Sequence, residues 1–171
     1  VKAGDMAPIS ALRYAPIVQV SVGLSNAHGI EHKAFGGLIP TCEQQQLLGI
    51  LFPSACFSQR CPAEGALFSF FLGGMKHGEM LGKTNEELRE LVTKALSKML
   101  GFPQDVAPDM VQIFRHEHAI PQYELSSGAR FAAVKRIEQA HPGLILGGNL
   151  RDGIGMADRI RQAVAMGLQI N

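Results

Sequence analysis

GLILGGNLRDGIGMADRIRQA, at residues 143–163, runs from an apolar segment through paired glycines into a helical pattern. Residues 144–146 predict a short buried strand, and residues 157–168 repeat apolar side chains at the spacing of one helix face. Glycine lets a backbone approach a ligand closely, and a helix start offers unpaired N–H groups and a partial positive charge. The spacing alone is more often that of an ordinary tight turn than that of a cofactor site. It therefore leaves two interpretations open, a phosphate or flavin contact and a simple turn.

The rest of the chain mixes strand and helix patterns. The best-marked helix follows Thr84 and Glu87, which have the spacing of a capping box, and it ends before Gly101 and Pro103. A second helix is predicted at residues 126–141. The two element types do not alternate regularly, so we predict an α+β fold with a mixed β-sheet flanked by helices. The predicted strands are residues 17–24, 36–39 (a short strand or loop edge), 47–52, 66–72 and 110–118.

Composition narrows the classes of function. The chain has 171 residues, 46% of them hydrophobic, with a formal net charge of +1 and no basic block that would indicate nucleic-acid binding. No apolar run reaches the roughly 18 residues that cross a bilayer. Cys42, Cys56 and Cys61 are expected to be reduced thiols, with a Cys56–Cys61 disulfide as the alternative. His116 and His118 share a strand face, but no third ligand stands at a clear spacing, so we predict no metal site.

Six segments follow one another in the chain in the order YAPIVQVSVGL, AFGGLIP, LLGILFPSACF, LFSFFLGG, HEHAIPQY and GGNLRDGIGM. These segments, in this order, resemble the protoporphyrinogen oxidase family of FAD-dependent, amine-oxidase-like flavoproteins. In that family a small-residue turn and a G-[VI]-[GA]-[VIM] step start the final helix against the flavin. The resemblance implies that FAD contacts the backbone of Ile154, Gly155 and Met156, with Gly153, Gly148 and Asn149 close by.

The same resemblance implies a wall for a porphyrinogen substrate. A tetrapyrrole is a broad apolar disc with acidic side chains at its rim, so apolar walls and an approachable glycine backbone suit its face. Judged from the residues alone, Leu51 and Phe71 are more typical of ordinary core packing than of a substrate wall. Residues 1–115 are assigned to the substrate-binding (porphyrinogen) domain and residues 116–171 to the carboxy-terminal part of an FAD-binding domain. The residues implied for the substrate wall are Phe35, Gly36, Leu38, Leu51 and Phe71.

The implied activity is oxidation of protoporphyrinogen IX to protoporphyrin IX in heme and porphyrin biosynthesis. FAD would accept hydride and oxygen would reoxidise it, so no catalytic side chain is nominated. The alternatives are coproporphyrinogen III oxidation, another amine-oxidase-like flavoenzyme, and a non-catalytic tetrapyrrole-binding module. Many relatives carry a Gly-His pair after IPQY, whereas this chain has Ser126-Ser127-Gly128. The contact made by that histidine is therefore not carried over.

The family's G-x-G-x-x-G fingerprint, which holds the FAD pyrophosphate, occurs nowhere in the 171 residues. The sequence also begins with Val1 and shows no targeting signal. We therefore expect a carboxy-terminal fragment that is inactive alone and whose partner is the amino-terminal FAD-binding segment of the same protein. The resemblance implies a cytoplasmic protein, peripherally associated with the inner face of the membrane. The apolar side of residues 144–167 would be exposed or covered by homo-oligomerisation.

Overall fold

The computed structural model describes residues 1–169. The chain packs as two compact units, Pro16–Ala119 and the combination of Val1–Ala15 with Ile120–Asn171. The α+β prediction is confirmed, whereas the assignment of residues 1–115 and 116–171 to two functional domains stays a prediction. In chain order the described helices and strands are α1 (Ala3–Ser10), β1 (Tyr14–Leu24), β2 (Gly36–Leu38), β3 (Leu47–Leu51), α2 (Pro53–Cys56), β4 (Ala66–Gly73), α3 (Asn85–Leu100), β5 (Met110–Pro121), α4 (Ser127–Ala140) and α5 (Met156–Gln169).

The unit Pro16–Ala119 is built on a five-stranded sheet in the order β2-β3-β4-β1-β5. The central strands pair antiparallel, and Phe70 of β4 lies opposite Val20 of β1 and Ile50 of β3. Side chains alternate between the two faces of a sheet, so these three residues share one face. They are buried and pack with α3 in one hydrophobic core. All the predicted strands of this unit are therefore formed.

Residues close together in the sequence determine both ends of helix α3. Thr84 Oγ1 accepts a hydrogen bond from Glu87 N at 3.2 Å, and Glu87 Oε2 accepts one from Thr84 N at 2.8 Å, which confirms the capping box. Gly101 ends the helix with φ at +78°, a left-handed conformation that glycine adopts without strain. Between these ends, Leu88 and Val92 are fully buried against the sheet.

The unit that contains the carboxy-terminal segment is helical. α1 packs on α4, where Ala133, Val134 and Ile137 are buried. The predicted helix at residues 126–141 is confirmed. So is the last predicted helix, α5, although none of its described residues is buried. The apolar row predicted on that helix is open to solvent, and Leu168 is 73% exposed.

The predicted short buried strand at residues 144–146 is wrong. This segment is irregular backbone, and Leu144 is 37% exposed. A strand needs a neighbour that accepts and donates its backbone hydrogen bonds. The described part of the chain offers this segment none, and Leu146 N donates instead to Glu138 Oε1 at 2.9 Å. A loop was also expected after Pro53, where the short helix α2 is found.

Candidate functional site

The glycine-rich loop at residues 147–155 is closed by Tyr123. Its phenolic oxygen lies 3.0 Å from Asn149 O and 3.2 Å from Gly153 O, so one hydroxyl donor bridges two points of the loop. The backbone φ angles are +101° at Gly148 and +93° at Gly153, in the left-handed region that favours glycine. The path of the loop therefore requires glycine at both positions.

Arg130 supports the same loop from α4. Its Nε donates to Leu150 O at 2.7 Å. The residue is only 4% exposed, and its guanidinium carbon lies 5.0 Å and 5.2 Å from the ring centroids of Tyr123 and Phe131. Burying a cation without a carboxylate partner is costly unless hydrogen bonds and aromatic faces replace its hydration. Its position thus indicates a cation used to bind a loop carbonyl rather than to neutralise an acid.

Two side chains of α5 hold the loop from its other side. Arg159 donates to Gly148 O and, at 2.8 Å, to Arg151 O. Gln162 Oε1 accepts a hydrogen bond from Gly148 N at 2.7 Å. Together with Tyr123 and Arg130, these contacts provide a side-chain donor for every carbonyl at residues 148–151 and for that of residue 153. The loop is therefore ordered although it belongs to no helix or strand.

Glu138 fixes the entrance to the loop. Its carboxylate accepts two hydrogen bonds from the Arg151 guanidinium, at 2.8 Å and 2.9 Å, and one from Leu146 N at 2.9 Å. Burial raises the pKa of this carboxyl, but the Leu146 N–H and the Arg151 cation outweigh that effect, so its pKa lies below the usual range. The carboxylate is therefore charged at neutral pH and binds its arginine as a bidentate pair.

Helix α5 begins directly after the loop. Gly155 N lies 3.3 Å from the carboxylate of Asp158, which stands in the first helical turn, where negative charge suits the helix dipole. A Cβ at Gly153 would collide with that carboxylate. The side chains of Ile154 and Met156 are 46% and 81% exposed, so this step lies at the surface of its unit.

The residues predicted to contact FAD lie together, in the loop and at the start of α5. Two details fit a flavin ring, whose edge presents both N–H donors and carbonyl acceptors. The Oδ1 atom of Asn149 is buried and accepts no hydrogen bond, and such a group calls for a donor. The space around Gly148 where a Cβ would project is open. Contact with FAD stays a prediction for Gly148, Asn149, Gly153, Ile154, Gly155 and Met156.

The predicted substrate wall lies mainly on the sheet face turned away from α3, which is called the open face below. Leu38 pairs with Gly49 and Gly49 with Phe71, while Gly36 pairs with Leu51. Because paired residues share a face, four of the five predicted residues are brought together across three adjacent strands. Leu38 is 87% exposed there. Substrate contact by these residues stays a prediction.

Phe35 stands just outside this strand pairing. It precedes β2, and its carbonyl accepts a hydrogen bond from Phe52 N at 2.9 Å. Its side chain is 71% exposed. The neighbouring Gly36 is needed for close strand contact, since a Cβ there would collide with Ile50 O. Phe35 is thus placed at the edge of the sheet, as a rim residue would be.

Sequence reasoning did not single out the side chains that order the loop. IPQY entered the sequence analysis only as part of the family-like segment HEHAIPQY, and its tyrosine binds the loop. A usable signal existed, because a glycine-rich segment exposes carbonyl groups and needs donors near it. The donors reach it from positions far apart in the sequence, so no local spacing marks them. The residues concerned are Tyr123, Arg130, Glu138, Arg159 and Gln162.

Within residues 1–169, no cluster of three or more His, Cys, Asp or Glu side chains could hold a metal ion. None of the helices described is long and apolar enough to cross a membrane. Cys42, Cys56 and Cys61 are free thiols.

Comparison with known proteins gives consistent matches. The model of the flavin containing amine oxidoreductase family matches residues 4–149. Protoporphyrinogen oxidase 2 (chloroplastic/mitochondrial) of Arabidopsis thaliana is 32% identical over 131 residues, which are 75% of this chain and 25% of the relative. Mitochondrial protoporphyrinogen oxidase of Nicotiana tabacum is 33% identical over 127 residues, 72% of this chain and 25% of the relative. The chain thus spans about a quarter of the length of these curated relatives.

A solved structure shows the same fold. The protein, from Exiguobacterium sp. 255-15, is described as a candidate protoporphyrinogen oxidase. It matches with a TM-score of 0.80 at 17% sequence identity, over 96% of this chain and 36% of that one. At this identity the likeness concerns the fold alone.

Proposed function

The chain belongs to the flavin-containing amine oxidoreductase family, and we propose that it is part of an FAD-dependent oxidase that converts protoporphyrinogen IX to protoporphyrin IX in heme biosynthesis. Its similarity to protoporphyrinogen oxidases from two plants supports this choice within the family. Oxygen is the proposed electron acceptor. Because the chain spans about a quarter of those relatives, the proposal gives it part of the flavin contact and part of the substrate wall.

The observation that carries the proposal is the open face of the sheet. Leu38, Leu51 and Phe71 lie on one side of three adjacent strands, and the Leu38 side chain is largely exposed to solvent. A large exposed apolar surface rimmed by polar groups is typical of a ligand or partner site. A tetrapyrrole macrocycle matches the polarity of this face, since the faces of the macrocycle are apolar and its carboxylates are at its edge.

The loop at residues 147–155 supplies the proposed flavin contact. Tyr123, Arg130 and Arg159 bind its carbonyl oxygens. The step from Gly153 to Met156 is thereby held at the positive start of α5, which suits the electron-rich edge of a flavin. When bound, the flavin supplies a hydride acceptor for a carbon–hydrogen bond of the substrate. The residues of this chain bind and orient, and none is proposed to exchange a proton.

We further propose that the chain by itself does not turn over substrate. No G-x-G-x-x-G fingerprint occurs among its residues, and that motif is the one that holds a dinucleotide pyrophosphate. The proposed partner is the amino-terminal FAD-binding segment of the same protein. We propose a cytoplasmic location with peripheral membrane association, which suits a poorly soluble product.

Two titrations of the purified chain test these proposals. In the first, FAD is added and flavin fluorescence is followed, together with oxidation of protoporphyrinogen IX. We expect weak or no binding and no turnover. Tight FAD binding would show that the G-x-G-x-x-G fingerprint is not needed to hold the cofactor, and measurable turnover would show that the chain is an enzyme in its own right.

The second titration uses protoporphyrin IX and its fluorescence. Leu38→Asp places a charge on the open face and should weaken binding about tenfold, the effect of losing a buried leucine contact. Leu125→Asp is the matched control, since Leu125 is also fully exposed but lies in the other unit. Equal affinities for both variants and the wild type would exclude the open face as the porphyrin site.

A further inference from the structure

The open face carries no formal charge on the strands described. Ser69 and Phe71 of β4 and Gln19 and Ser21 of β1 lie on it, paired Ser21 with Ser69 and Gln19 with Phe71. The chain has 16 Lys and Arg and 15 Asp and Glu residues, so charged side chains are common in it and their absence from the strands of this face sets the face apart. No carboxylate of these strands would repel an acidic ligand.

Strand β5 extends this face at its far side. Met110 of β5 lies against Gly23 of β1, with its Cβ 3.4 Å from the position a Cβ at Gly23 would take. The odd-numbered residues Val111 and Ile113 are partly buried and pack against the hydrophobic core on the opposite face. The even-numbered residues of β5 therefore continue the open face.

Arg115 confirms the alternation further along β5. Its guanidinium donates to Leu81 O and Lys83 O, at 3.2 Å and 2.6 Å, beside the start of α3. Odd-numbered positions thus still point towards α3 at residue 115. Phe114 and His116 stand on the open face, Phe114 as an exposed apolar group and His116 as an exposed imidazole.

We propose that His116 binds a carboxylate of the tetrapyrrole substrate, so that it acts as a positioning residue at the edge of the open face. An imidazole offers one N–H donor when neutral and two when protonated, and either form can bind a carboxylate. The apolar wall holds the ring while His116 holds its acidic rim. This inference rests on the proposed function.

The dimensions of the sheet agree with this role. β5 lies two strands away from β4, which carries Phe71, and two strand spacings are about 10 Å. That distance is comparable to the reach from the centre of a porphyrinogen ring to the carboxylates of its side chains. A ring centred over Phe71 would therefore bring an acidic side chain to β5.

The test compares protoporphyrin IX with its dimethyl ester, which lacks the carboxylates. Both are titrated into the 171-residue chain and followed by porphyrin fluorescence. His116→Ala should weaken binding of the free acid about fivefold and leave the ester unchanged, as expected for one exposed hydrogen bond to a charged group. His116→Gln, which keeps a donor, should recover part of that loss. His141→Ala is the matched control, an exposed histidine of the other unit.

Three results would overturn the inference. If His116→Ala has no effect on the free acid, no carboxylate binds there. If it weakens the acid and the ester equally, the residue supports the sheet rather than the ligand. If the wild-type chain binds neither compound, the proposed substrate wall fails as well, whereas the first two results leave that proposal intact.

Discussion

The Tyr123 hydroxyl is predicted to hold the glycine-rich loop in its shape. Tyr123→Phe removes one donor that lies 3.0 Å from Asn149 O and 3.2 Å from Gly153 O, and it keeps the ring that packs against Phe131 and Arg130. The mutation therefore tests the hydrogen bond separately from the aromatic packing.

The expected magnitude follows from the geometry. A neutral hydrogen bond contributes about 0.5–1.5 kcal/mol net. Tyr123 is 42% exposed, so water can replace part of the lost bond at the two carbonyl groups. We expect local opening of the loop to become easier by about 1 kcal/mol, which makes amide exchange in the loop about fivefold faster.

Hydrogen exchange followed by mass spectrometry measures this effect. The amides of Leu146 and Gly148 are informative, because both donate to side chains within the loop network. A peptide covering residues 66–73 of β4 is the internal control and should exchange at the wild-type rate. Tyr123→Ala, which also removes the ring, should have a larger effect of about 2 kcal/mol.

The reasoning fails if Tyr123→Phe leaves exchange at residues 144–156 unchanged while Tyr123→Ala accelerates it. That result would mean that ring packing alone orders the loop. Equal acceleration in the loop and in β4 would also contradict the prediction, because it would reflect a general loss of stability.

Three further predictions concern stability, measured by urea unfolding. Glu138→Gln should lower the free energy of unfolding by about 2 kcal/mol at pH 7 through loss of the charged pair with Arg151. A carboxylate with a lowered pKa stabilises the fold above its unfolded pKa and stops doing so once it is protonated, so the difference from wild type should shrink as the pH falls below about 4.5. A pH-independent difference would contradict this. Thr84→Ala should cost about 1 kcal/mol through loss of the cap, while Thr93→Ala in the same helix should cost less than half of that. Leu96→Ala, in the core, should cost about 2–5 kcal/mol, whereas Ile160→Glu on the exposed side of α5 should change stability by less than about 0.5 kcal/mol. A large loss for Ile160→Glu would mean that this side of α5 is covered.

Local signals in the sequence were sufficient for most of the regular elements, although they did not predict α1 or α2. The capping box and Gly101 determined both ends of α3, because a helix end is made by residues three or four positions apart. The β-branched and aromatic runs likewise predicted β1, β3 and β4. The order of the family-like segments indicated the flavoprotein family before any geometry was known, since the segments keep their order whatever contacts they make.

The same local reasoning failed at residues 144–146. Apolar residues next to a glycine pair predict a strand, but a strand exists only when another segment pairs with it. In the described structure Leu146 N binds the Glu138 carboxylate instead. Whether an apolar segment becomes a strand is decided by its neighbours in space.

The candidate sites were decided by tertiary structure in the same way. The register of β2, β3 and β4 brings Leu38, Gly49 and Phe71 into one row, and a slip by one residue would turn each strand's side chains to the other face. Tyr123 reaches carbonyls 26 and 30 residues further along the chain. The sequence by itself determined where most of the helices and strands begin and which family the chain resembles, because those depend on neighbours along the chain. Only the folded structure decided which side chains meet, because hydrogen bonds and packing act between groups that are close in space, however far apart they are in sequence.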